Sequence, residues 1–201
     1  MNTEKLIRKY DKQARTYEMR RRNRTERAWR ERLIRCAEGR VLELSVGAGA
    51  NFPFYPKEAE VVAVDFSGEM LAKAREGAAE NGIRASFIRS DVESLSFPDD
   101  SFDTIVSTLS FCGYENPDLV LHRMQRWCKP GGRLLFMEHG ISSNRLVGLL
   151  QKIADPLFKA AVGCHLKRDI VRMLEHSRAN IGQMERHMMG AVYLVWAAPH
   201  K

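Results

Sequence analysis

The chain has no stretch of about 18 uninterrupted apolar residues, so the sequence predicts no helix that crosses a bilayer. Its opening, MNTEKLIRKYDKQ, lacks the apolar core of a secretory signal, which points to the cytoplasm. Cysteine is sparse: Cys36, Cys112, Cys128 and Cys164 lie far apart, with no C-x-x-C pair among them. Neither a zinc spacing nor a disulfide framework is present, so reduced thiols and no metal are expected. Cys164 and His165 are neighbours, but adjacent residues on a helix do not face each other, which argues against a nucleophile–base pair there. Internal repeats are absent, and the one biased run is Arg20-Arg21-Arg22-Asn23-Arg24.

What is present is an ordinary globular balance: 201 residues, 44% hydrophobic and 28% charged, enough for one domain with a real core. The net charge of +7 is unevenly placed. Residues 1–40 hold fourteen of the 32 Lys/Arg and six of the 25 Asp/Glu, a local surplus of +8, and the rest of the chain is close to neutral. Such a segment either attracts phosphates of nucleic acid or anionic lipid, or is simply a solvated helix face.

Residues 2–37 read as one or two helices, with Leu6, Tyr10 and Tyr17 on one face and Trp29 and Leu33 four apart on another. Arg40 opens a strand, VLELS, and EVVAVD is a second. A helix follows from a Ser67 N-cap to Asn81-Gly82. Residues 84–89 and 102–109 read as strands, 117–128 as a helix with Leu121, Met124 and Cys128 inward, Lys129-Pro130-Gly131-Gly132 as a turn, and RLLFMEH as a fifth strand. Strands alternating with helices predict an α/β fold with a mostly parallel sheet. Residues 144–178 read as helical with a break or kink near Pro156, and their stripe Leu146, Leu149, Leu150, Ile153, Leu157, Phe158, Val162 reads mainly as core. Two extended runs, 180–187 and 191–197, close the chain as a hairpin.

The loop after the first strand, Glu43-Leu44-Ser45-Val46-Gly47-Ala48-Gly49-Ala50-Asn51, stands where ligands sit in open α/β sheets, and its glycines allow close backbone approach. A dinucleotide loop would carry a third glycine at Phe52, which this one lacks. Asp65 ends the second strand, 22 residues after Glu43, where a carboxylate can accept both hydroxyls of a ribose. Asp91 follows the third strand, placed to reach an adenine edge. Each acidic residue alone reads as a solvated strand cap; in order, behind a G-x-G, they point to a nucleoside ligand.

VLELSVGAGAN, VVAVD, SDVESLSFPDDSFDTIVST and KPGGRLLFMEH resemble the ordered motifs of class I S-adenosylmethionine-dependent methyltransferases. YDKQARTYE is similar to the opening motif of the ubiquinone/menaquinone-type branch. GANFPFYP and the Glu138-His139 strand end look closest to small phospholipid N-methyltransferases and membrane-associated thiol methyltransferases. The resemblance implies a Rossmann-like, mostly parallel seven-stranded sheet with helices on both faces, closed by an antiparallel C-terminal hairpin, in a single domain over residues 1–201. Within it, residues 1–38 would be a basic helical lid, 39–140 the cofactor core, 141–179 a helical insertion and 180–201 the hairpin. It also implies S-adenosylmethionine as cofactor. Glu43, Gly47 and Gly49 would shape the loop around its methionine part, Asp65 would hold the ribose, and Phe66 and Met70 would flank the adenine. Asp91 and Val92 would hold the adenine edge, Thr108 and Leu109 would face the sulfonium, and Tyr10 and Tyr17 would cover the site. Ser45 stands where the family usually has glycine; serine fits if its φ is negative, with altered loop contacts and retained binding.

Methyl transfer from a sulfonium needs alignment and exclusion of water more than it needs a dedicated base. His139 is the candidate base or acceptor-orienting group, against the plainer reading of a histidine bonded to its own loop. Tyr114 is the second catalytic candidate, and with Ser110 is placed to line an acceptor pocket under the N-terminal helices and the 140–178 insertion. The expected acceptor is a small hydrophobic or amphipathic molecule, best a phospholipid headgroup amine, with a thiol or quinone precursor as alternatives. The basic segment 1–40 would touch an anionic membrane from the cytoplasmic side. A nucleic-acid acceptor is disfavoured, because STLSFCGY follows the fourth strand in place of a D/N-P-P-Y/F motif. A cofactor-binding sensor without turnover and an NAD-dependent oxidoreductase are the remaining rivals.

Overall fold

The computed structural model describes residues 3–20 and 24–201. Asn23 and the arginines at 21 and 22 of the basic run lie outside those residues, as do the side chains of Leu6 and Val162. Two helices come first, α1 (Thr3–Arg20) and α2 (Arg24–Ile34). An alternating series follows: β1 (Arg40–Leu44), β2 (Glu60–Asp65), α3 (Gly68–Glu80), β3 (Arg84–Arg89), β4 (Phe102–Thr108), α4 (Pro117–Trp127) and β5 (Cys128–His139). The chain ends with α5 (Arg145–Val162), α6 (Ile170–His176), β6 (Asn180–His187) and β7 (Val192–Ala198).

The strands form one sheet in the order β3-β2-β1-β4-β5-β7-β6, parallel except for β7, which runs antiparallel to both its neighbours. The inner strands β1, β2, β4, β5 and β7 have runs that are apolar on both faces because both are covered, whereas the edge strands β3 and β6 are partly exposed and more polar. Val41, Val61, Ala63, Val106 and Leu135 pack with Leu33 and Ile34 of α2 and Leu71, Ala74 and Ala78 of α3. Leu42, Leu44, Val62, Val64 and Phe136 pack on the other face with Val120, Leu121 and Met124 of α4 and Ile170 and Leu174 of α6. The period-two alternation along each strand thus divides the core into two layers. Ser67 caps α3, its Oγ accepting from the Met70 amide at 3.1 Å.

Three local expectations need correction. Lys129-Pro130-Gly131-Gly132 is not a turn before β5 but an irregularity within it: Phe102 pairs with Cys128 and Thr104 with Arg133, so the extra residues bulge out, with Gly131 at φ 76°. The long C-terminal helix does not break at Pro156. It runs through the proline and stops at Gly163, whose φ of 89° gives the left-handed cap that glycine tolerates best. The apolar stripe of α5 is not core. Leu146, Leu149, Leu150, Ile153 and Leu157 are exposed, because the opposite side of the helix is anchored by polar contacts. Buried Asp155 accepts from the Leu166 amide at 2.8 Å, and Gln151 bonds the Ser142 amide at 2.7 Å and the Gly140 carbonyl at 3.1 Å.

Candidate active site

The strand order reverses between β1 and β4, and the crevice beyond their carboxyl ends is where such sheets bind ligands. The loop after β1 is tied to β2 there: the Gly47 amide donates to Asp65 Oδ2 at 2.9 Å, and the Ser67 amide donates to Oδ1 at 2.9 Å. Burial pushes the Asp65 carboxyl up to about 6, against the lowering effect of these two amides. Gly47 has φ 54°, and a Cβ on it would meet nothing within 4 Å, so this turn opens onto space. Gly49, φ 78°, is closed instead: a Cβ would lie 2.6 Å from the Phe52 ring. Ser45 also has a positive φ, 52°, contrary to the negative value expected of it. The turn imposes left-handed backbone on a non-glycine residue, at a cost of roughly 1–2 kcal/mol, and the Ser45 hydroxyl lies 3.0 Å from that of Tyr114.

α1 lies across this loop. Ala14 packs with Ala48 and Met70, flanked by Tyr10 and Tyr17. Tyr10 stacks edge-on against Phe66 at 5.3 Å between centroids, and Asp11 accepts from the Ser67 hydroxyl. Asp91 is exposed and caps a short turn through the Glu93 amide at 2.9 Å, while Val92 is buried in the core.

Behind the loop is a buried polar network whose members Arg30 and Asn51 the sequence reading missed. Glu43 accepts from Asn51 Nδ2 at 2.8 Å and from the Tyr55 hydroxyl at 2.9 Å. Arg30 donates to Asn51 Oδ1 at 2.8 Å and Thr108 Oγ1 at 2.9 Å, and its guanidinium lies 3.6 Å from Glu26. Thr108 at the end of β4 is therefore engaged by the network. A second carboxylate, Glu138, to which the sequence assigned no role, is fully buried and takes the Ser110 amide at 3.0 Å, the Phe111 amide at 3.1 Å and the Ser107 hydroxyl at 2.7 Å. It fixes the loop after β4, which begins with Leu109 at φ 57°.

Beside Leu109 lies a cavity of about 410 Å³, lined by Glu26 and Trp29 of α2, Met137 and His139 of β5, Val192 of β7, and Met188. No residue of the 140–178 insertion lines it, so the roof expected from that segment comes from α2 and the hairpin turn. A second hollow of about 310 Å³, with Arg40, Glu60 and Arg84 in its wall, sits at the opposite, amino ends of β1–β3.

A family model described as a methyltransferase domain matches residues 41–132. A phosphatidylethanolamine N-methyltransferase of Cereibacter sphaeroides is 31% identical over 80% of this chain and 79% of its own length. The chain belongs to the S-adenosylmethionine-dependent methyltransferases. A thiol S-methyltransferase of Rattus norvegicus is 35% identical over 72% of the chain, but the chain spans only 62% of that relative. Among solved structures, an S-adenosylmethionine-dependent methyltransferase of Thermotoga maritima superposes with a TM-score of 0.71 at 17% identity, covering 97% of this chain and all of that one. At that identity the likeness is one of fold.

In this methyltransferase His139 faces the cavity, and desolvation lowers its pKa, so the imidazole is neutral at pH 7. Tyr114 is buried, bonded to Ser45 and to Ser110 Oγ at 3.1 Å, and burial raises its pKa. It touches the β1 loop and is not among the cavity's lining residues. Cys164 and His165 diverge: Cys164 lies 3.9 Å from the Tyr10 hydroxyl, while His165 is held by Asp155 at 3.2 Å.

Burial pushes both Glu43 and Glu138 up to about 7 from an ordinary 4.5. The folded methyltransferase therefore holds more protons than the unfolded chain between about pH 4.5 and about pH 7. The contribution of these two groups is fully present below that window and falls as pH rises through it. Urea titrations of wild type and Glu43→Gln across this range are expected to show a shallower decline in the variant, which carries one such group fewer.

Proposed function

We propose that the enzyme methylates the headgroup amine of a phospholipid of the phosphatidylethanolamine type, at the cavity beside Leu109. The observation that carries this reading is the lining itself. Trp29, Leu109, Met137, Met188 and Val192 offer an apolar wall for an amphipathic acceptor, while Glu26 and His139 are its ionisable groups. A carboxylate and an indole face are both suited to an ammonium group. The similarity to the Cereibacter sphaeroides enzyme supports the same acceptor class. A thiol acceptor is the second reading, favoured by the similarity to the rat enzyme.

The residues fit the cofactor on this reading. Asp65, held by two amides next to the open Gly47 turn, would accept the ribose hydroxyls. Glu43, Ser45 and Gly49 would shape the loop around the methionine part, Phe66 and Met70 would flank the adenine, and Asp91 and Val92 would hold its edge. Thr108 and Leu109 would face the reacting end. α1 would act as the lid through Tyr10 and Tyr17, and Tyr114 would position the loop through Ser45. The bound cofactor supplies an electrophilic methyl group. The protein's task is then to align the amine and exclude water. An ammonium must lose a proton before its lone pair can attack, and neutral His139, in the cavity wall, would take it.

His139→Ala is expected to lower kcat about a hundredfold, in the range of general-base effects, with cofactor affinity unchanged by calorimetry. In wild type, kcat is expected to fall as pH drops through the lowered His139 pKa, and the variant to lose that limb. Wild-type turnover in the variant removes His139 from the reaction. The acceptor is tested by incubating the enzyme with radiolabelled methyl donor and, separately, phospholipid, quinone precursor, aliphatic thiol and RNA. Label in the phospholipid is the expected result, and label in the thiol alone replaces the first reading by the second. The basic segment 1–40 and the outward row Arg8, Lys12 and Arg15 on α1 support peripheral contact with anionic lipid.

A further inference from the structure

α5 is turned inside out relative to an ordinary surface helix. Its outward face carries Leu146, Leu149, Leu150, Ile153 and Leu157, between 55% and 77% exposed, at spacings of three, one, three and four. Its inward side is Gly148, Gln151 and Asp155. The helix cannot roll to bury the leucines without breaking the bonds of Gln151 to Gly140 and Ser142 and those of Asp155 to Leu166 and His165. The sequence thus spends its polar residues on fixing this orientation.

We propose that α5 is an interfacial anchor that lies in the headgroup plane of an anionic phospholipid bilayer. Arg145, Lys152 and Lys159 recur every seven residues along one edge of the apolar stripe, and all three are exposed. Basic side chains flanking an apolar face reach up to lipid phosphates while their stems follow the leucines down. The only carboxylate of α5 is the buried Asp155, so the exposed surface of the helix presents positive charge alone. A second copy packed on this face would find no carboxylate of α5 for those cations, whereas a bilayer of anionic lipid offers phosphates along the whole edge. Among the described residues no helix is long and apolar enough to cross a membrane, which leaves an in-plane position. The surface continues beyond the helix. Met188 and Met189, each 65% exposed, form the hairpin turn to which Ser142 and Ser143 bond just before α5, and Met188 also lines the cavity. The anchor would therefore set the cavity beside the lipid surface; in that respect it rests on the phospholipid-acceptor reading.

The test is co-sedimentation of the full chain with vesicles of phosphatidylcholine alone and of phosphatidylcholine with phosphatidylglycerol. Wild type is expected to pellet with the anionic vesicles and far less with the neutral ones. The triple variant Leu149→Glu, Ile153→Glu, Leu157→Glu is expected to lose at least about tenfold in partitioning, since apolar burial drives such binding. Its cofactor affinity and thermal midpoint should match wild type, because the replaced side chains already face solvent. Equal sedimentation of the variant, or no sedimentation of wild type, overturns the proposal. So does a wild-type dimer in light scattering that the triple variant converts to monomer without any change in vesicle binding. If wild type sediments through α5 yet transfers no methyl group to phosphatidylethanolamine, the acceptor reading fails and the anchor stands.

Discussion

Asp65→Ala is expected to weaken S-adenosylmethionine binding about a hundredfold, the consequence of losing charge-assisted hydrogen bonds worth about 1.5–3 kcal/mol each. The carboxylate stands at the end of β2, fixed by the Gly47 and Ser67 amides and 6% exposed beneath α1. Its removal leaves two amide donors without their acceptor and, on the proposed reading, a ribose without its partner. The acid limb of the binding curve should report the same group. With the carboxyl pushed up to about 6, wild-type affinity falls as pH drops through that value, and Asp65→Ala has no such limb. Isothermal calorimetry across this range measures both effects. Undiminished binding by the variant would remove Asp65 from the cofactor site.

Arg30→Ala is expected to be the most destabilising single change outside the apolar core. The guanidinium is 8% exposed, holds Asn51 and Thr108, and is the nearby cation for buried Glu43. Breaking a buried charged network by removing one member costs about 3–5 kcal/mol. For a chain of this size that lowers the thermal midpoint by roughly 6–20 °C. Because Asn51 and Thr108 join the β1 loop to the end of β4, cofactor affinity should fall as well. A double variant with Glu43→Gln should recover part of the loss, since it also removes the carboxyl left uncompensated. Additive losses in thermal melts would show that Arg30 and Glu43 do not act together.

The sheet was legible because its signals are local. EVVAVD is apolar on both faces, Ser67 is a capping residue at a helix start, and Asn81-Gly82 ends that helix. The order of glycine loop, Asp65 and Asp91 at successive strand ends was readable for the same reason, since each follows its strand directly in the chain. What escaped depends on contacts between residues far apart in the chain. Arg30 reads as one more cation of a basic segment until the fold brings it to Thr108, 78 positions away. Glu138 stands next to His139, but alternation along β5 sends the carboxylate to the loop after β4 and the imidazole to the cavity. The rotation of α5 was read backwards because apolar periodicity defines a face without saying whether it turns inward. Gln151 and Asp155 were the available clue: a carboxylate and an amide four apart, opposite the leucines, with loop amides to bind. Ser45 shows a limit of another kind, a turn whose required φ is set by the loop and not by the residue that occupies it.

The most direct test of the whole account is product analysis on phosphatidylethanolamine vesicles supplied with unlabelled S-adenosylmethionine and the wild-type chain. Lipid mass spectrometry is expected to show phosphatidylethanolamine gaining methyl groups on its amine, with one equivalent of S-adenosylhomocysteine per methyl group. An unchanged lipid pool, in the presence of protein shown by calorimetry to bind the cofactor, would contradict it.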